Sequence, residues 1–452
     1  MQTDRLDVDY VIGGGGIAGS VAAVRLSQQG FRVALVEPNP RSEQRHGGEM
    51  LHPRAVACLS QLGLVSTLGD TAVIEGFNIH NDDGAGVMLR YAPLDTGTGV
   101  ALDHAALHHG LFSAAASSPG VTVIPGRIVG VDETDTAVGA RVVGRTGKST
   151  VWGRLLIGAD GSNSRIRSMA DIGFTSRRIS IISTITVSAD MLTTPSCGHV
   201  FVGGGHLCLA YPIGSGLARV MIDSADCAPR TMSEIVAALP GACPDTFRDQ
   251  LMVMSPAQGI RRYVTNITRV PSPWRGRVVL IGDAAGTCHP LTASGMTSGI
   301  ADVILLTDEL AKAPDNIAGA CRRYARRSSA RQRSRLVLAE TVQEVFAGTA
   351  AEFSLVRCAM MRYWRSVKGN RRATALLAME EESPARLWWA IASTLGYGAV
   401  EILRPSLSRE SGMGLTRRYR AGLAALKLAM SYLGDPVRWG LVKPITLREK
   451  QL

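Results

Sequence analysis

The tightest constraint on this chain lies between Asp9 and Glu37. A short apolar run, Tyr10-Val11-Ile12, meets four consecutive glycines, Gly13 to Gly16, and then an apolar helical pattern opening on Ile17-Ala18-Gly19-Ser20. A second apolar run, Val33-Ala34-Leu35-Val36, ends on Glu37. The spacing Gly14-x-Gly16-x-x-Gly19 predicts strand, tight turn, helix, strand. Gly14 permits the turn, Gly16 lets a pyrophosphate approach the backbone, and Gly19 lets helix and strand pack closely. The helix start then presents free N–H groups and the positive end of its dipole to phosphate. An acid roughly twenty residues on is placed for a ribose 2′-hydroxyl and argues against a 2′-phosphate, so the site suits FAD or NAD.

Two further stretches repeat this logic. Leu155-Leu156-Ile157-Gly158-Ala159-Asp160-Gly161-Ser162-Asn163-Ser164-Arg165 delivers an acid and a glycine from a buried strand to a helix start. By itself it also reads as a strand end followed by a serine N-cap. Gly282-Asp283-Ala284-Ala285 follows the apolar run Val278–Ile281 and leads through Pro290 to Gly295-Met296 and a helix over 300–310. There Asp283 is placed to accept from a sugar or ribityl hydroxyl. The amides near Gly295 and Met296 are placed at a helix start, where they favour an electron-rich edge.

The remaining pattern predicts a helix near 54–62, a hairpin of 76–80 with 87–91 about Asn81-Asp82-Asp83-Gly84, and a helix at 103–117. Strands are expected near 121–131, 138–144, 150–157, 181–188, 199–203, 206–212 and 217–223. Beyond 280 the chain reads as helical to about 434, broken at Gly369, Pro384, Pro405 and Gly412. The expected fold class is α/β. A Rossmann-like nucleotide-binding domain is assembled from 1–75, 101–175 and 275–320. An antiparallel sheet domain from 76–100 and 176–274 is inserted, and a helical region, 321–452, closes the chain.

The net charge of +11 is concentrated at one end. Residues 320–452 hold 24 Lys and Arg against 10 Asp and Glu, the rest 25 against 28. A basic segment containing Trp388-Trp389 suits either a membrane surface or a solvated helical face; with no binding motif beside the charge, nucleic acid is not expected. The eight scattered cysteines show no CxxC pair and no ligand spacing, which predicts free thiols, a reducing cytoplasm and no metal site. The histidine pair His108-His109 is expected on a helix surface.

Taken in order, the three motifs resemble those of single-component FAD-dependent monooxygenases of the para-hydroxybenzoate hydroxylase fold, a GR2-type FAD-binding arrangement. In wording they are most similar to squalene epoxidases. His289-Pro290-Leu291-Thr292 with Gly295-Met296-Thr297 and Asp302 resembles that group's HPLTGGGMT…D, and Arg45-x-x-Gly48-Glu49-x-Leu51-His52-Pro53 its R-x-x-G-E-x-L-Q-P. The departures are Ala293-Ser294 for a glycine pair, His52 for glutamine, and no arginine on the 103–117 helix, where His104 is nearest. The resemblance implies FAD held by Gly14, Gly16, Ile17, Ala18, Gly19, Glu37, Arg45, Asp160, Asp283, Pro290, Gly295 and Met296. It implies Arg45 and Tyr211 as pocket residues, and the flavin itself as the catalytic group.

It also implies reduction by NADPH or NADH and reaction with O2 to a flavin C4a-hydroperoxide, which epoxidises or hydroxylates a small lipophilic substrate such as a prenyl chain, terpenoid or prenylated aromatic in secondary metabolism. A cytoplasmic enzyme, peripheral on the inner face of the membrane through its C-terminal helices and with or without a separate flavin reductase, fits that reading. Aromatic hydroxylation of a polyketide or quinolone-like ring, flavin-dependent reduction of prenyl double bonds, and a structural FAD-binding role share the same motifs.

Overall fold

The computed structural model describes residues 5–39, 49–81, 86–145, 147–225, 228–254 and 259–403, with Lys427. Its helices are α1 (Ile17–Gln28), α2 (Pro53–Gln61), α3 (His104–Ala116), α4 (Arg165–Met169), α5 (Met232–Ala237), α6 (Asp245–Val253), α7 (Gly295–Lys312), α8 (Ile317–Ala347), α9 (Ala351–Arg365), α10 (Val367–Leu377) and α11 (Pro384–Leu403).

Nine strands among the described residues form one sheet. At its centre Val33–Glu37, Tyr10–Gly13, Leu155–Gly158 and Val278–Leu280 run parallel. These strands are apolar throughout because both faces are covered. The alternation of side chains decides which cover each residue meets. Tyr10, Ile12, Val33, Leu35, Leu155, Ile157 and Val279 pack with helices α1, α3 and α7. Val11, Ala34, Val36, Leu156, Val278 and Leu280 pack with the antiparallel strands of 121–153, which curl across the opposite face.

A seven-stranded sheet gathers Arg261–Arg269, Thr175–Ser188, Leu217–Ser224, His206–Gly214, Cys197–Gly203, Gly76–His80 and Gly86–Arg90 in that order. It is antiparallel except where Cys197–Gly203 lies beside Gly76–His80. One face packs on α8 to α10 and the other on α5 and α6. The turn expected at 82–84 lies outside the described residues.

The helical run after 280 begins at Gly295, where the helix start was expected, and one of its expected breaks falls elsewhere. Gly369 lies inside α10, donating its N–H to Ser366 Oγ. The break falls at Ser366 because that side chain caps the new helix. Pro384 opens α11, while Pro405 and Gly412 lie outside the described residues. No helix among the described residues is long and apolar enough to cross a membrane.

Candidate active site

The three motifs stand side by side because their strands do. Gly13, Gly158 and Leu280 are register partners at the carboxyl ends of adjacent parallel strands, which is where open α/β sheets place their ligand crevice. Close packing then locks them. Gly14 takes φ +108°, and a Cβ there would strike the Ala159 carbonyl; a Cβ on Gly19 would lie 1.9 Å from the Gly14 carbonyl oxygen. Gly282 and Gly299 lie against the methyl of Ala18, so the starts of α1 and α7 meet across small residues. Arg167, buried at the end of the second motif, donates to Ala284 O in the third at 3.0 Å.

Each acid predicted from the sequence also does local work. Glu37 accepts from Gly15 N–H at 2.7 Å and from Asn39 N–H at 3.0 Å, so it ties the glycine turn to the second strand. Asp160 accepts from the Ser164 hydroxyl and from the N–H groups of Arg165 and Ile166, while Ser164 caps α4. Both readings of that stretch therefore hold together: a capped helix, with its acid on the groove wall. Asp283 borders the cleft with its surface exposed, yet enough protein surrounds it to raise its carboxyl above the ordinary range, a rise that Arg335 and His104 oppose.

These residues border one continuous groove. One part, about 390 Å³, is lined by Gly14, Gly16, Glu37, Arg127, Asp160 and Arg165. The other, about 380 Å³, is lined by Ile17, Ala18, His104, Asp283, Pro290, Gly295, Met296 and Tyr211, with Gly16, Ala159 and Gly161 common to both. Arg45 lies outside the described residues. The groove fits a dinucleotide. The two long helices starting at it, α1 and α7, have neither a side-chain cap nor an acid in the first turn. Asp103, Ser164, Thr231, Asn316 and Ser366 cap α3, α4, α5, α8 and α10. Orphan N–H groups are thus left at the groove, where a ligand would satisfy them.

Several wall residues escaped the sequence. His108 is buried, not superficial: its Nε2–H donates to Gly15 O at 2.9 Å and its ring stacks on Phe112. Two neighbouring histidines at helical spacing gave no sign of which would face inward. Glu49, quoted only within a motif, holds Arg219 through paired hydrogen bonds of 2.5 and 3.0 Å and accepts from Tyr211 Oη at 3.1 Å. Burial and Glu49 hold the Tyr211 phenol well above its ordinary range, so it stays a neutral donor; Tyr263 is likewise raised. His52 accepts from Tyr91 Oη on Nδ1 and donates from Nε2 to Thr292 O, which fixes the loop before α7. Burial lowers its pKa to about 4, so it is neutral. Phe77, Leu209 and Met221 form an apolar part of the cleft wall, and Thr287, Cys288, His289 and Arg335 a polar one.

Parallel strands ending in glycine turns, two uncapped helix starts and one long groove define a dinucleotide-binding protein of the flavoprotein α/β class. The chain belongs to the FAD binding domain family, whose model matches residues 7–339. It is 26% identical over 381 residues to squalene monooxygenase of Mus musculus, covering 79% of this chain and 65% of that one, so the chain spans about two thirds of that relative's length. It is 29% identical over 344 residues to kynurenine 3-monooxygenase of Salinispora arenicola, covering 68% and 73%. Among solved structures, the p-nitrophenol 4-monooxygenase of Pseudomonas putida DLL-E4 shares the fold at a TM-score of 0.70 and 18% identity, covering 85% of this chain and 98% of that one.

Proposed function

We propose that this protein is an FAD-dependent monooxygenase that uses NADH or NADPH and O2 to epoxidise or hydroxylate a lipophilic substrate carrying an electron-rich alkene or activated ring. Bound FAD supplies the redox and oxygen-transfer chemistry. The chain's own residues do the rest. The glycine turn and the α1 start would hold the phosphates, with Glu37 available to the adenosine ribose and Asp283 to the ribityl chain. Pro290 and Gly295-Met296 would offer the α7 amides to the isoalloxazine. Tyr211, held by Glu49, and the apolar side chains opposite would orient the substrate and keep water out.

The observation that carries the lipophilic reading is a row of apolar spaces leading away from the cleft. Phe77 is common to the cleft and to a cavity of about 20 Å³ bounded by Ile79, Val200 and Leu291. That cavity shares Val342, Trp364 and Leu377 with a third, about 70 Å³, enclosed by α8 to α11. The continuous apolar lining of this series, rather than its volume, favours a substrate with a hydrocarbon part, which would have to part these side chains to enter. Glu49 is committed to Arg219 and the cleft phenols are neutral, while His104, Asp283 and His289, the last paired with Asp223 at 3.0 Å, also border the cleft; phenol hydroxylation would draw on one of these as base, and alkene epoxidation needs none. Trp388 and Trp389, exposed on α11, support delivery from a membrane surface.

The test is turnover of lipophilic alkenes and prenylated aromatics by FAD-loaded protein under oxygen-18. Label in the product with stoichiometric NAD(P)H use is expected. Substrate reduction under anaerobic conditions would replace this reading with a prenyl reductase, and a flavin that nicotinamide does not reduce would make the cofactor structural.

A further inference from the structure

We propose that Arg335 is a fixed positive charge for the pyrimidine edge of bound FAD, favouring negative charge at N1–C2=O when the flavin is reduced. This rests on the assignment of the cleft to FAD and adds a residue from the helical region to it.

Arg335 sits midway along α8 and is only 7% exposed. Other buried arginines have clear partners. Arg219 pairs with Glu49 and Arg331 with Asp302. Arg167 donates to two carbonyls and Arg357 to two more. Arg335 has neither an ion pair nor a backbone carbonyl partner among the described residues: Nε donates to Cys288 Sγ at 3.0 Å and Ser294 Oγ at 3.2 Å, and Nη1 to Gln332 Oε1 at 2.9 Å. Among the described residues no carboxylate lies within 4.0 Å of it. Glu381 and Glu382, which border the small pocket behind it, are engaged by Arg386 and by Arg54 and Arg331. A buried guanidinium whose nearest opposing charge, the Asp283 carboxyl, lies beyond ion-pair distance is poorly compensated, so an anionic partner entering the cleft would relieve it.

The geometry says where that partner lies. Arg335 borders the cleft beside Asp283, Gly295 and Met296. A Cβ built on Gly295 would meet Arg335 Nη2 at 4.0 Å and nothing closer, so the guanidinium and the uncapped α7 start face the same space. Two positive features of separate origin, the helix N-terminus and the arginine, therefore converge. A phosphate, with its concentrated charge and no donor for Asp283, is the poorer fit to this wall. A reduced flavin would spread its charge over the pyrimidine edge and could offer ribityl hydroxyls to Asp283, which suits both groups.

The test uses FAD-loaded protein and needs no substrate. Sulfite, which adds to oxidised flavin and leaves negative charge at N1–C2=O, is the probe, alongside a spectroscopic titration of N1 in the reduced flavin. Wild-type protein is expected to keep reduced FAD anionic at least one pH unit below free reduced FAD. Arg335→Met is expected to bind sulfite about tenfold more weakly and to raise the N1 pKa, and Arg335→Lys to recover most of both. An N1 pKa in the wild-type protein equal to that of free FAD would overturn the proposal without any variant. So would Arg335→Met protein with FAD bound and sulfite affinity unchanged. Failure of the wild-type protein to retain FAD would instead overturn the cofactor assignment itself.

Discussion

The carboxylate of Asp302, fully buried on α7, accepts the backbone N–H of Gly282 at 3.0 Å. Its other oxygen accepts from Ser328 Oγ at 2.8 Å and from the Arg331 guanidinium of α8. One side chain thus fixes the turn that carries Asp283 and docks the helical region on it. Asp302→Asn takes from the buried Arg331 guanidinium its closer counter-charge and leaves only Glu382 at 3.6 Å, and we expect a loss of about 3 kcal/mol in urea unfolding of the FAD-loaded protein. Asp302→Asn/Arg331→Met should cost clearly less than the single change. A single variant as stable as wild type would show that the pair is dispensable.

His108 supports the glycine turn from below through Gly15 O. Losing one hydrogen bond of about 1–1.5 kcal/mol corresponds to roughly tenfold in affinity. His108→Ala should therefore release FAD about tenfold more readily in equilibrium dialysis, whereas His109→Ala, on the exposed face of α3, should leave retention unchanged.

His52 gives stability a pH dependence whose sign follows from its environment. Burial lowers its pKa from 6.5 to about 4, so between those values the unfolded chain binds the proton and the folded one does not. Its contribution is complete above pH 6.5 and is lost as pH falls toward 4. A glutamine in place of this histidine keeps a donor for Thr292 O and an acceptor for Tyr91 Oη without titrating. We expect His52→Gln to gain roughly 2 kcal/mol on wild type between pH 7.5 and pH 5, read from denaturation midpoints at the two pH values. Parallel curves would refute the assignment.

Ala293 holds φ 48° in the loop before α7, a conformation that costs a residue with a Cβ about 1–2 kcal/mol. Ala293→Gly should relieve most of that while loosening the unfolded chain by up to about 1 kcal/mol. The predicted outcome is a thermal midpoint equal to or slightly above wild type, and a marked fall would show that the methyl packs usefully against Leu291 or the cleft.

Glu49 and Tyr211 separate by how much each leaves stranded. Tyr211→Phe removes one hydroxyl from Glu49 and should cost about 1 kcal/mol. Glu49→Gln strips the close counter-charge from Arg219, only 6% exposed, and leaves it the half-exposed Asp103 at 3.8 Å, so it should cost more than the loss of the phenol hydroxyl. Urea unfolding of the two variants compares them directly; equal losses would mean that the Arg219 charge is relieved elsewhere.

Much of this was legible in the chain because it depends on local chemistry. Strands apolar on both faces, glycines at set spacing after them, and acids at strand ends read out directly, since period-two burial and backbone approach impose residue types at fixed intervals. The break at Ser366 rather than Gly369 escaped because a serine cap three residues upstream outweighs the weak helix propensity of one glycine. His108 escaped because its inward turn depends on where α3 lies against Gly15.

The sequence alone determined the parallel core, the order of the three motifs and the class of cofactor, because each is written in contiguous residues. Tertiary structure decided which side chains from distant segments share the cleft. Asp302 with Arg331, Glu49 with Arg219, and Arg335 beside Gly295 are separated by tens to hundreds of positions. Nothing local requires their meeting; each pairing exists because burial in a packed interior forces charged and polar groups to find partners wherever the fold brings them.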